Sequence, residues 1–369
     1  MRVLFLIVMF MNSQNISART LQLMSYNVEN LFDAKHDTFK NADKKDWAFL
    51  PKDIPGKKEA CLREKNRNHR KACLSSDWTE DKVALKISQI AEVISKDRTL
   101  PDFLGLVEVE NARVVAQLAR KLGYDDFEIT ESPDERGIDV ALLYNNKKNH
   151  DIKKISRAEH LVEVDYPTRN ILEVEFLINN KYPLTIFVNH WPSLANPDSW
   201  RIQAASVLVK RTQEILKKNP EMGIIALGDF NTAEDNNPHP FKTVLFKDSL
   251  YLDVNNQTRN QKSPGTYYFA PKDQWNNLDH FFINKVLADG KKLELITNSF
   301  EIYAPPFICK EIKVKTYEHE QKNFKLISVP KKFNPKADSK IKMGFSDHFP
   351  ILVKINYPDS SSKKLKKIN

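Results

Sequence analysis

The chain has 369 residues; 57 Lys and Arg against 48 Asp and Glu give a formal charge of +9 and a pI near 9.1. With 41% apolar and 28% charged residues and a mean hydropathy of −0.51, its composition is that of a soluble globular protein and excludes a polytopic membrane protein. Nine Gly and 19 Pro exclude collagen-like and Gly-rich fibrous chains, and the basic balance points to a polyanionic partner or surface.

Residues 1–18 place one Arg before an apolar run at 3–11, followed by a polar stretch that ends in small residues. That order matches a secretory signal peptide cleaved after Ala18, so a secreted or periplasmic location is expected. The apolar run is too short to span a bilayer. The competing reading is a buried first strand.

Apolar runs at 21–26, 103–107, 140–144, 171–178, 184–188, 224–227, 281–283 and 351–355 are short and mostly rich in Val, Ile or Phe, which predicts strands. Val83, Ile87, Ile90 and Ile94 fall at helical spacing behind Thr79 as N-cap. Asn111 is the cap of a second helix carrying Val115, Leu118 and Leu122, and a third helix covers 199–216. Strands separated partly by helices and partly by turns predict a mixed α/β sheet.

Two segments interrupt this rhythm. Residues 36–78 are polar, with Trp47, Phe49 and Trp78 interleaved, and their 57–71 portion holds seven basic and two acidic residues. Residues 300–342 are lysine-rich. The end of the chain, 358–369, is a basic tail expected to be disordered. One catalytic domain over 19–357 accounts for the rest. Cys61, Cys73 and Cys309 form no CxxC pair. In an oxidising compartment a Cys61–Cys73 disulfide would contribute about 3 kcal/mol in the chain-entropy model; three reduced thiols are the alternative.

Polar residues at the strand ends carry the functional signal. Asn27, Glu108, His190 and Asp229 follow apolar runs, with Asn231 two residues further on. Asp139, Asp279 and the Asp347-His348 pair precede runs. In antiparallel neighbours the end of one strand lies beside the start of the next, so these termini can converge on one sheet edge. Each residue alone is readily explained as a turn former or rim residue. Together they form a chemically matched set of carboxylates, imidazoles and amides. Oxygen ligands without a Cys or His-rich set suit a hard cation such as Mg²⁺ or Mn²⁺, with Ca²⁺ a further candidate. His beside a carboxylate is a better proton carrier, and Asp near Asn can place a water. The combination predicts metal-assisted hydrolysis of a phosphoester.

At these residues the sequence resembles the endonuclease/exonuclease/phosphatase superfamily, the fold of DNase I, and in particular its secreted bacterial nuclease branch. The motifs are SYNVENLF at 25–32, GLVEVEN at 105–111, RGIDVALLY at 136–144, NHWPS at 189–193, LGDFN at 227–231, LDHFFI at 278–283 and FSDHFPI at 345–351. The resemblance implies a four-layer α/β sandwich of two mixed sheets with helices outside. It implies that Glu108 is the principal metal ligand, with Asn27 and Asp347 beside it. His348 becomes the catalytic His paired with Asp279, and Asp229 the residue that orients the attacking water. Asn231 and Arg169 become phosphate contacts, and His190 a second His, partnered by Asp139. The segments 36–78 and 300–342 have no counterpart in the family core.

The reading that follows is a metal-dependent nuclease acting on DNA or RNA. Arg63, Arg67 and Arg70 would form a basic wall toward the substrate backbone, and Trp47, Trp78, Tyr267, Tyr268 and Trp275 would stack bases. A phosphatase or phosphodiesterase on a lipid or small-molecule phosphate is the alternative, although no amphipathic or apolar membrane-contact hairpin is legible and no membrane insertion is expected. A non-catalytic basic surface-binding protein ranks below both, because such a module has no need of this residue set.

Overall fold

A computed structural model describes residues 18–39, 42–147, 149, 151–255, 261–318, 321–337 and 343–359. Every apolar run named above is a strand, and all but Ile171–Ile178 extend past their runs into polar residues. The first sheet has Ala18–Leu31 at its middle, antiparallel to Ile351–Pro358 and parallel to Phe103–Val109, with Asp139–Tyr144 and Asp126–Ile129 beyond. The second runs Leu252–Asp253, Asp279–Ile283, Gly223–Asp229, Tyr182–His190, Ile171–Ile178 and Ile152–His160. Its Tyr182–His190 and Gly223–Asp229 strands are parallel and the other neighbours antiparallel, so both sheets are mixed.

The sheets pack face to face. Phe176 of the second sheet meets Phe103 and Tyr144 of the first edge-on, each at 4.9 Å between centroids. At Gly105 the sheets leave no room for a side chain: a Cβ there would lie 2.2 Å from Leu227 Cδ1. The Glu80–Ser95 and Ala112–Leu122 helices bury their apolar stripes in the main core that holds the first sheet. The Asp198–Lys218 helix covers the second sheet through Ala204, Ala205 and Leu208, over a smaller core around Trp191 and Phe230. This is the expected four-layer α/β sandwich. Asn111 caps its helix by accepting from Arg113 N and Val114 N. Thr79 occupies the N-cap position, but its side chain makes no cap bond.

The 36–78 segment forms a miniature layer of its own. A two-stranded pair and a helical turn lead into the helices Lys57–Arg63 and Arg67–Ser75, joined by a Cys61–Cys73 disulfide with a Cα–Cα separation of 5.6 Å. Cys309 is free. Trp78 is buried, donates from Nε1 to Phe32 O at 3.1 Å, and packs between Phe49 and Phe333. It therefore anchors the segment to the core and is not available to stack on a base. The 300–342 segment contains a hairpin, Cys309–Glu318 with Gln321–Pro330, that sequence reasoning missed. It exposes Phe324 (61%) and Leu326 (58%) beside Lys315 and Lys313 on the partner strand.

The expected leader (apart from Ala18) and the tail from residue 360 lie outside the described residues. Ala18 pairs with Pro358 and Arg19 forms an ion pair with Asp359, so residues 358 and 359 finish the first sheet rather than open a tail. Among the described residues no helix is long and apolar enough to cross a membrane.

Candidate active site

Strand register assembles half of the site. Asp229 ends its strand directly opposite His190 on the parallel neighbour and Asp279 on the antiparallel one. The first sheet brings Asn27 and Glu108 to the same edge from adjacent strands, and His348 enters just before the Ile351–Pro358 strand. Irregular backbone aims these groups. Glu108 sits at φ +65° and Asn231 at φ +44°, where the ladder breaks; left-handed geometry at a non-glycine residue costs about 1 kcal/mol or more. Gly228, at φ +132°, is required by close approach, because a Cβ would lie 2.0 Å from Asn189 O.

The centre is a buried network. His348 Nδ1 lies 2.7 Å from Asp279 Oδ2, and His348 Nε2 lies 3.8 Å from Asp229 Oδ2. Burial disfavours the charged imidazole, but the Asp279 carboxylate outweighs it, helped by Asp229 and Asp347, so the His348 pKa is well above the ordinary value. The shift favours the protonated ring, whose Nδ1–H donates to Asp279. Asp229 accepts from Asn27 Nδ2 (3.0 Å) and Asn231 N (2.9 Å). Burial pushes its carboxyl upward, to about 7, against the pull of His348.

His190 has the opposite charge state. Burial first, then Arg169, Arg136 and His348, hold its pKa well below 6.5. Its Nε2 is 3.9 Å from both Asp229 and Glu108. Paired titratable groups pushed apart in this way divide acid and base roles between them.

Above the network opens a cleft of about 810 Å³. Glu108, His190, Asp229, Asn231, Asp347 and His348 line its floor. Arg169 lies on the wall, donating to Trp191 O at 2.5 Å and facing Asp134 at 3.4 Å, with its buried Nε unpartnered. Tyr267 closes another side, its ring centroid 5.0 Å from His348.

The donor set fits a hard cation at Glu108. Its carboxylate is 18% exposed, lines the cleft and accepts no hydrogen bond among the described residues; His190 Nε2, 3.9 Å away, is neutral and leaves its charge uncompensated. Asp229, Asp279 and His348 also bring three donor atoms within 4.8 Å of one another. Within that trio the His348–Asp279 hydrogen bond of 2.7 Å is the arrangement of an acid–base pair.

Two expectations need correction. Asp139 is not the partner of His190: its Oδ1 accepts from Thr130 Oγ1 (2.6 Å) and Ser132 N (2.9 Å), and His190 Nδ1 has no partner among the described residues. Asp139 pins the loop leading to Asp134, because the short hydroxyl and amide of its own sheet edge reach it first. Arg63, Arg67 and Arg70 do not line the cleft; Arg67 and Arg70 border a separate surface depression with Lys71. Sequence reasoning missed Arg136, Lys272 and Tyr166 on the cleft walls. Only Arg136, inside the RGIDVALLY motif, carried a signal.

Fold and site together define a phosphoester hydrolase. The chain belongs to the endonuclease/exonuclease/phosphatase family, whose model matches residues 22–357. Its enzymes act on phosphoester bonds with divalent metal ions. Among similar solved structures is a family member from Bacteroides thetaiotaomicron, 13% identical with a TM-score of 0.53, covering 93% of this chain and 100% of that one. A mannosyl-6-phosphatase from the same organism is 12% identical with a TM-score of 0.52, covering 91% and 99%. Caenorhabditis elegans TDP2 is 12% identical with a TM-score of 0.52, covering 91% and 97%. Identities this low establish the shared fold alone. No curated protein matched the chain.

Proposed function

We propose that this protein is a secreted or periplasmic phosphodiesterase that hydrolyses nucleic acid by in-line attack of water. The observation that carries the chemistry is the placement of the His348 ring, 2.7 Å from Asp279 and 3.8 Å from Asp229 at the cleft floor. Asp229, raised to about 7, is suited to orient a water and take its proton near neutrality. As the water oxygen bonds to phosphorus and the bond to the leaving oxygen breaks on the opposite face, negative charge builds on the phosphoryl oxygens. His348 Nε2–H faces that charge, neutral His190 adds a donor without adding charge, and Arg169 and Asn231 hold the phosphate. Glu108, with Asn27 and Asp347 beside it, would hold Mg²⁺ or Mn²⁺, which when bound supplies positive charge to the phosphate and the leaving oxygen.

Arg136 and Lys272 on the walls, with Tyr267, Phe269 and Trp200, give the cleft the mixture of cations and aromatic faces that a polynucleotide strand uses. The Cys61–Cys73 bridge supports an oxidising compartment. The exposed Phe324 and Leu326 among lysines favour one second reading, an amphiphilic phosphate ester. The test is hydrolysis of plasmid, single-stranded DNA, RNA, a phosphomonoester panel and phospholipid vesicles, with Mg²⁺, Mn²⁺, Ca²⁺ or EDTA. Metal-dependent cleavage of polynucleotide is expected; preference for monoesters or vesicles would displace the nuclease reading, and full activity after metal stripping would overturn the mechanism.

A further inference from the structure

The 36–78 segment meets the cleft wall through Lys44 and Lys45. Lys44 is only 6% exposed. Its ammonium donates to two carbonyls of the loop between Asp126–Ile129 and Asp139–Tyr144, Ser132 O at 3.0 Å and Asp134 O at 2.8 Å. The lysine stem runs beside Gly137, where a Cβ would lie 3.7 Å from Lys44 Cδ. Next to it, Lys45 N donates to Glu135 O at 2.5 Å. The Lys45 ammonium pairs with the Glu135 carboxylate, which also accepts from the hydroxyl of Tyr166 on the cleft wall. Burying an ammonium is costly unless it is fully compensated. Here the two carbonyls compensate it, together with the Asp139 carboxylate that pins the same loop from its other side.

The loop held in this way sets two cations of the cleft. Asp134 Oδ2 faces Arg169 Nη1 at 3.4 Å, and Asp134 Oδ1 accepts from Arg136 N at 2.9 Å. Ser132 Oγ accepts from Asn170 N at 3.0 Å, so the residue after Arg169 is tied to the same loop. Asp134 therefore joins the two sides: its carbonyl is gripped by Lys44 and its carboxylate faces Arg169. Both Asp134 and Arg169 are buried, so a shift of the loop would leave a buried guanidinium short of its counter-charge.

We propose that Lys44 is a positioning residue for phosphate binding: from the 36–78 segment it fixes Asp134, and through Asp134 the guanidinium of Arg169 and the backbone of Arg136. The segment thus serves the substrate from behind the wall, although its Arg67 and Arg70 border a different depression. A lysine suits this task, because its compact ammonium has three rotatable donors and can hold two carbonyls that diverge. Lys44 donates to the loop and takes no part in the chemistry, which leaves His348 and Asp229 undisturbed when it is changed. The inference rests on the reading of Arg169 as a phosphate contact.

Two measurements on the full chain test it: steady-state kinetics with bis-para-nitrophenyl phosphate, and calorimetric binding of inorganic phosphate. In Lys44→Met, KM and the phosphate Kd should each rise about tenfold, the lower end of what a hydrogen bond to a charged group contributes, while kcat stays within about twofold. Lys44→Gln, which can still donate to one carbonyl, should fall between Lys44→Met and the parent. Adding Lys44→Met to Arg169→Met should change little, because the two act through one contact. Thermal melting establishes that each variant is folded, and Lys44→Gln is read in place of Lys44→Met if the latter does not fold. Parental KM and phosphate affinity in the folded variant, a loss confined to kcat, or multiplicative losses in the double variant overturns the inference. Parental phosphate affinity in Arg169→Met overturns the assignment on which it rests. If the unsubstituted protein hydrolyses no phosphodiester, the activity reading fails, and the phosphate-binding measurements still decide the role of Lys44.

Discussion

Replacing Asp279 with Asn isolates the contribution of one negative charge to His348. The carboxylate is fully buried, and Oδ2 pairs with His348 Nδ1 at 2.7 Å. A hydrogen bond to a charged group contributes about 1.5–3 kcal/mol, and one pH unit corresponds to about 1.4 kcal/mol. The His348 pKa should therefore fall by about 1–2 units in Asp279→Asn, with Asp229 and Asp347 still supporting the imidazolium. Turnover should drop by roughly 10²-fold or more, in the range of a lost acid–base group. Because the folded His348 pKa is raised, its contribution to stability is complete below the unfolded value of about 6.5 and fades as pH rises through the folded value. The variant should accordingly lose more stability at pH 6 than at pH 9. The assays are pH–rate profiles on a minimal phosphodiester, NMR titration of the His348 ring, and melting at both pH values. An unmoved His348 titration, or an alkaline limb unchanged from the parent, would refute the reasoning.

Other outcomes follow from the same geometry. Glu108→Gln should keep the fold but lose Mn²⁺ affinity at least tenfold, read by calorimetry. Arg136→Ala should raise KM for polynucleotide and lower the salt slope by about one unit, as expected for one lost phosphate contact, whereas Arg63, Arg67 and Arg70 changed together to Ala should leave both unaltered. Filter binding from low to high salt checks this pair. Cys61→Ser should cost about 3 kcal/mol of stability on the chain-entropy scale, seen as a lower melting temperature that reductant reproduces in the parent protein. Equal melting with and without reductant would contradict it.

Most of the sheet was legible because its strands are largely buried on both faces and rich in apolar residues, as in Gly223–Asp229, and in Ile171–Ile178 despite its two glutamates. Ile152–His160 was missed because it is an edge strand whose sequence, IKKISRAEH, stays largely in solvent. The hairpin was missed because lysines break up its apolar residues. Strand-end position revealed Glu108, His190, Asp229 and His348, since register alone brings strand ends together. It could not assign partners: Asp139 shares the edge with His190, yet its hydrogen bonds go to Thr130 and Ser132.

The site is divided between two sheets. Asn27 and Glu108 come from one, His348 from the loop that leads into its Ile351–Pro358 strand, and His190, Asp229 and Asp279 from the other, so the Asp279–His348 and Asn27–Asp229 hydrogen bonds each cross the seam. Secondary structure alone therefore assembles no active centre. A collapsed state that kept both sheets but let them slide would show near-native far-ultraviolet dichroism and no catalysis. Turnover thus reports how closely two slabs of the molecule are seated, and Gly105, where a Cβ would lie 2.2 Å from Leu227 Cδ1, is one place where that seating admits no side chain.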